Sequence, residues 1–159
     1  MQRRRKRSGI QDKTPTTKPP LWRAVENGDV DAARFLLETG SDVNERWQGW
    51  TPLMKASENG ITEVMELLLA QGANIEAANR RGRTSLSFAA CPSMGRKTSL
   101  DAVKLLLERG ADFRVRDRAG ASIKKTLVRE HKRNPDLARE AALLLIEEME
   151  KYGCIGGFP

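Results

Sequence analysis

Residues 51–77, TPLMKASENGITEVMELLLAQGANIEA, constrain the fold more than any other stretch of the chain. They read as a helix, a tight turn, a second helix and a glycine stop. Thr51 suits an N-cap, because its hydroxyl can accept from a free N–H of the first turn, and Pro52 suits the first helical position, where no N–H is needed. Asn59-Gly60 ends the first helix with a dipeptide that tolerates positive φ. The second helix carries Val64, Met65, Leu67, Leu68 and Leu69, at helical spacing but in a stripe too wide for one contact face. Gly72 follows as a left-handed stop. Such a pair of helices cannot bury its own apolar surface, so it predicts copies of itself along the chain.

The copies are present. Upstream, LWRAVENGDVDAARFLLETGSDVN runs over residues 21–44; downstream, GRTSLSFAA begins at Gly82 and DAVKLLLERGADFR closes that copy at Arg114. Gly40 and Gly72 lie 32 residues apart and Leu53 and Leu86 lie 33 apart, whereas Gly72 and Gly110 are separated by 38. The third copy therefore carries an insertion of about five residues, within AACPSMGRKTS at residues 89–99, against the repeat period. Tolerated insertion and binding loop are both open readings of it.

The chain resembles the ankyrin repeat family. The family pattern Gly-x-Thr-Pro-Leu-His-x-Ala-Ala, then Gly, an apolar second helix and Gly-Ala-Asp-Val-Asn, has its counterpart in Gly49, Thr51, Pro52, Leu53, Ala56, Gly60, Leu67, Leu68, Leu69, Gly72, Ala73, Asn74 and Ile75. Met54 stands where the family prefers His, and Ser85 where it prefers the second proline, changes expected to weaken local capping. The resemblance implies an all-α repeat solenoid: stacked helix–turn–helix ankyrin repeats joined by β-hairpin-like fingers. It divides the chain into a disordered basic arm (residues 1–20), a repeat domain (21–153) and a flexible tail (154–159). The repeats fall near 17–45, 46–78 and 79–116, followed by a degenerate cap over 117–153. In that cap Ser122 suits an N-cap, and Asn134-Pro135-Asp136 restarts a helix bearing Leu137, Ala141, Leu144, Leu145 and Met149.

Charge is distributed unevenly along this rod. The formal net charge is +7, of which residues 1–20 supply +6. Residues 21–75 are net −5, residues 76–133 net +9, and residues 134–159 net −3. Because sequence maps onto position in a solenoid, the middle to late part of the stack is expected to be its basic part. In the arm, Arg3, Arg4, Arg5, Lys6 and Arg7 form an uninterrupted basic cluster. It has the composition of a nuclear-import signal or a nucleic-acid contact, or of a solvated tail with no reader.

In ankyrin proteins the finger between repeats often contacts partners, and the resemblance directs attention there. The first finger, ERWQGW, places Trp47, Gln48 and Trp50 around Gly49; tryptophan is an enriched interface anchor, and the chain has three. The second, NRRGR, offers Arg80, Arg81 and Arg83, and the third offers Arg118, with Arg114 and Arg116 nearby. Either these arginines form one ridge for an acidic partner surface or helix, or they are a solvated edge; either the tryptophans reach a partner, or they fold back on the next finger. Removal of the Trp50 ring is expected to lower partner affinity without a matching loss of stability.

Chemistry is not expected. The single histidine, His131, sits in a basic loop, the carboxylates lack a paired buried set, and there is no phosphate loop, zinc spacing or cofactor motif. Cys91 and Cys154 do not make a disulfide framework, which suits a reduced intracellular protein, nuclear or cytoplasmic. No apolar run approaches the length of a membrane span, and no apolar segment follows the basic start as a secretory signal requires. The expected function is non-catalytic protein–protein interaction by a monomeric stack, through the finger ridge and concave face. The alternative is nucleic-acid or polyanion binding through the arm and the basic middle repeats.

Overall fold

The computed structural model describes residues 17–91, 99–123, 125–126 and 147. The basic cluster at residues 3–7, most of the insertion, His131, Cys154 and the helix expected after Asn134 lie outside the described residues.

Six short helices alternate with loops: α1 (Pro20–Asn27), α2 (Val30–Glu38), α3 (Pro52–Asn59), α4 (Thr62–Ala70), α5 (Ser85–Ala90) and α6 (Leu100–Glu108). Each helix packs on its own partner and on its equivalent in the next pair, so α1, α3 and α5 form one layer and α2, α4 and α6 a second. The result is a helical repeat solenoid.

Local chemistry explains the boundaries. Pro20 and Pro52 occupy the first turns of α1 and α3. The Thr51 hydroxyl accepts from the Met54 N–H at 3.3 Å, as expected of an N-cap. The Thr51 N–H in turn donates to Met54 Sδ at 3.5 Å, so Met54 closes a reciprocal cap with a soft acceptor. Met54, standing where the family prefers His, keeps a reciprocal cap in place. Asp29 and Ser99 cap α2 and α6 by accepting from the N–H groups of Ala32 and Ala102. Gly60 ends α3 at φ +70°, and a Cβ built there would lie 2.8 Å from Ser99 Cβ, so glycine satisfies both the turn and its contact with the next repeat.

The wide apolar stripe of α4 is accounted for by its neighbours. Val64, Met65 and Leu68 are fully buried, together with Leu21, Val25, Leu53 and Leu106, in one core that runs between the layers. Ile123 belongs to the same core, and Ser122 Oγ accepts from the Lys125 N–H at 3.2 Å, in line with the cap expected there. A second, smaller cluster of Met54, Ala77 and Phe88, with Trp50 packed against it, lies beneath the loops between repeats.

Two expectations are revised. The arm was drawn to residue 20, but Pro20 opens α1, Pro19 is buried, and Lys18 forms an ion pair with Glu26. The chain joins the stack three residues earlier, because Lys18 pairs with Glu26, the Pro19 carbonyl accepts from the Arg23 N–H, and Pro20 opens α1. Nor do the fingers contain strands: among the described residues each is closed by one isolated antiparallel bridge, Trp47 with Trp50, Ala78 with Thr84, and Arg116 with Ser122.

Candidate interaction surface on the loops

Each bridge holds a tight turn. In the first loop, Trp47 and Trp50 exchange both backbone hydrogen bonds, at 3.0 and 3.1 Å. Gln48 (φ +52°) and Gly49 (φ +83°) take the two positive-φ places of a type I′ turn, which leaves Gln48 exposed at the tip. The second and third loops share another design. Asn79 Oδ1 accepts from the N–H groups of Arg81 and Arg83, at 2.9 and 3.0 Å. Asp117 Oδ1 does the same for Ala119 and Ala121, at 2.9 and 2.8 Å. A short polar side chain thus substitutes for a backbone turn at equivalent places.

The loops are stitched to one another. The Arg118 N–H donates to the Arg81 carbonyl at 2.9 Å. Gly82 (φ +78°) permits this approach, since a Cβ there would lie 2.9 Å from the Arg118 nitrogen. Between the first and second loops, the Arg46 guanidinium donates to the carbonyls of Gly49 (3.3 Å) and Ala78 (3.0 Å). Behind the loops, Asn44 Oδ1 accepts from the Asn74 N–H at 2.8 Å, and Glu76 Oε1 from the Asp112 N–H at 2.7 Å. These are the same link repeated one unit further along.

The aromatic residues take the packed alternative for much of their surface. Trp47 is half-buried against Trp22, with ring centroids 5.5 Å apart, and Lys18 Nζ lies 5.0 Å from the Trp47 centroid. Trp50 is half-buried against Phe88, with centroids 4.1 Å apart. Only the outer part of each ring is open to a partner. The Trp50 ring covers the cluster beneath the loops, so its truncation is expected to cost stability as well as any partner contact.

Arg83 also departs from its expected role. Its guanidinium donates to the Ser87 carbonyl at 2.9 Å and to the Cys91 carbonyl, and lies over the Phe88 ring at 4.1 Å from the centroid. Burial pushes its pKa below the ordinary arginine value, opposed by Cys91, Glu58 and Asp117 and assisted by Arg81. It braces α5 instead of standing free on a ridge. Arg114 lies over Phe113, and the Arg116 guanidinium donates to the Gly120 carbonyl at 3.2 Å.

Arg80, Arg81 and Arg118 are exposed. The Arg80 stem passes over Gly49, 3.4 Å from where a Cβ would lie, and so connects the first and second loops. The side chains of Arg81 and Arg118 make no hydrogen bond or ion pair among the described residues. The ion pairs among the described residues lie at the first two helix pairs: Lys18 with Glu26, and Lys55 with Glu58 (3.0 Å) and Glu26 (3.9 Å).

Sequence reasoning missed Lys18, Arg46 and Glu45. Glu45 Oε1 is buried without a hydrogen-bond partner, and burial, then Asp42, raises its pKa above the usual carboxylate value. A carboxylate directly before a turn held by Trp47 and Trp50 was the available signal. Phe35, 64% exposed on α2, was missed as well; it falls outside the stripe that carries Ala33, Leu36 and Leu37.

With these features established, the class is a helical repeat stack with an arginine-rich edge. The model for ankyrin repeats (3 copies) matches residues 6–79 and 21–117, and the chain belongs to the ankyrin repeat family. No curated protein matches the chain. Ankyrin repeats are in general protein–protein interaction modules and are typically non-catalytic. Among the described residues no group of His, Cys, Asp or Glu is arranged to hold a metal, and no helix is long and apolar enough to cross a membrane.

Proposed function

We propose that this protein is a non-catalytic, monomeric binding module whose partner is another protein with an acidic surface or helix. The contact runs along the loop edge, with Arg80, Arg81 and Arg118 supplying charge and Gln48 and the outer faces of Trp47 and Trp50 supplying area. The adjoining face of the α1, α3 and α5 layer completes the surface. The observation that carries this reading is that Arg81 and Arg118, exposed on successive loops whose backbones are hydrogen-bonded to each other, make no ion pair among the described residues. Guanidinium groups on a fixed backbone favour carboxylate forks over isolated charges.

The test is affinity capture from cell extract with the full chain, compared with the Arg80→Gln/Arg81→Gln/Arg118→Gln variant. A protein retained by the parent and lost by the variant, with unchanged melting, identifies the partner and the edge. An identical set of captured proteins overturns the assignment. The basic cluster at residues 3–7 is proposed as a nuclear-import signal, tested by the distribution of the chain with those residues changed to alanine.

Nucleic-acid binding is the weaker reading. The basic balance of residues 76–133 favours it, but single-strand readers need exposed rings on which bases stack. Trp47, Trp50 and Phe88 are packed together with the stack, and Phe35, the exposed large apolar residue of the described segments, lies on α2 in the acidic first unit.

A further inference from the structure

Resting on the protein-partner reading, we infer that Arg81 and Arg118 form a two-loop fork for one dianionic group, a phosphorylated serine or threonine on the partner. Their backbones are joined directly by the 2.9 Å hydrogen bond from Arg118 N–H to Arg81 O. Gly82 fits the approach with no room for a Cβ. The two side chains therefore leave from adjacent anchored points on successive loops, and their separation is set by the fold and not by chance collision of flexible loops.

The surrounding acidic groups make no ion pair with either side chain among the described residues. Asp117, the carboxylate next to Arg118 in sequence, commits Oδ1 to two amides of its own turn. Asp112 Oδ1 accepts from the Arg114 N–H at 2.8 Å, Glu76 Oε1 from the Asp112 N–H, and Glu58 pairs with Lys55. The other arginines of these loops have work within the stack: Arg83 on the Ser87 and Cys91 carbonyls, Arg114 on Phe113, and Arg116 on the Gly120 carbonyl. What remains is a pair of exposed arginine side chains, on adjacent anchored loops, with no hydrogen bond or ion pair among the described residues.

That arrangement discriminates by charge number. One carboxylate brings a single negative charge to two guanidinium groups, so one positive charge stays uncompensated. A phosphomonoester carries close to two negative charges near neutrality and three acceptor oxygens, enough for both forks at once. Phosphodiester backbones place single charges in series and gain their affinity from many contacts, with bases stacked on rings that this edge does not expose.

The experiment uses the full chain and three degenerate peptide libraries, identical except for a fixed central phosphothreonine, threonine or glutamate. Binding is read by fluorescence polarisation near physiological ionic strength. The phosphothreonine library is expected to bind roughly tenfold more tightly than the glutamate library, the scale of one added charge-assisted hydrogen bond. Arg81→Gln and Arg118→Gln should each abolish that preference with unchanged melting, while Arg34→Gln, on the exposed side of α2, should retain it. Phenyl phosphate, followed by NMR, should shift the Nε–Hε resonances of Arg81 and Arg118 together. Equal affinity for phosphothreonine and glutamate, lost in both variants, would overturn the phosphate fork and leave the acidic-partner reading standing. Absence of binding by every library, with no shift from phenyl phosphate, overturns both. Stronger retention of a single-stranded RNA oligonucleotide than of the phosphothreonine library assigns the edge to nucleic acid instead.

Discussion

Three side chains carry costs that the fold tolerates, and each can be relieved or exposed by one substitution. Ser85 is fully buried at the first position of α5, and its hydroxyl has no partner. Proline fills the equivalent place in α1 and α3, and Thr84 before it already has the extended backbone that proline demands. Ser85→Pro removes an orphan hydroxyl and stiffens the unfolded chain, so it should stabilise by about 0.5–1 kcal/mol in denaturant unfolding. Glu45 has its pKa raised in the folded state, so its ionised form opposes folding. The penalty is present above the folded pKa and disappears as pH falls below the ordinary carboxylate range. Glu45→Gln should therefore raise the Tm at neutral pH, and the gain should shrink on acidification; a gain that grows with acid would reverse the assignment. Arg83→Ala, which strips charge-assisted bonds from two carbonyls, should cost about 1.5–3 kcal/mol, measured by chemical denaturation.

At the scale of elements, the helices were legible and the loops were not. Thr51, Pro52 and Gly60 announce the boundaries of α3 through chemistry that acts within a few residues, and the structure uses each as read. Helical spacing likewise located the buried leucines of α4. What sequence could not supply was which arginines would be consumed locally. Arg80, Arg81 and Arg83 look alike in NRRGR, yet the third lies over Phe88 and donates to the Ser87 and Cys91 carbonyls, which are within its reach. The loop-to-loop bond from Arg118 to Arg81 spans distant sequence and left no local signature beyond Gly82. That residue permits a direct test of the element. Gly82→Ala forces a side chain into φ +78° and against the Arg118 nitrogen. It should destabilise by at least about 1–2 kcal/mol and broaden the amide resonances of both loops by NMR; an unchanged spectrum would mean that the loops are not held together.

For the whole molecule, the repeat period fixed the architecture before any contact was known, since a pair with apolar surface on several sides must have neighbours. The consequence is that stability is shared between units. Leu68, fully buried in α4, sits in the middle described pair, where α4 meets α2, α3 and α6. Truncating it removes packing from both junctions at once, not from one helix alone. Leu68→Ala should cost ~2–5 kcal/mol, as deletion of a buried leucine side chain does. The three tryptophans, at positions 22, 47 and 50, report on the first two units and the loop joining them, whereas far-UV circular dichroism reports on all helices. If nearest-neighbour coupling holds the described pairs as one unit, the fluorescence and dichroism transitions of Leu68→Ala should move down together and remain coincident. Separation of the two curves would mean that the middle pair is a weak joint and that the units on either side unfold independently. A surface that depends on Arg81 and Arg118 staying in register could then not be maintained near the transition, and partner binding should be lost before the first unit melts.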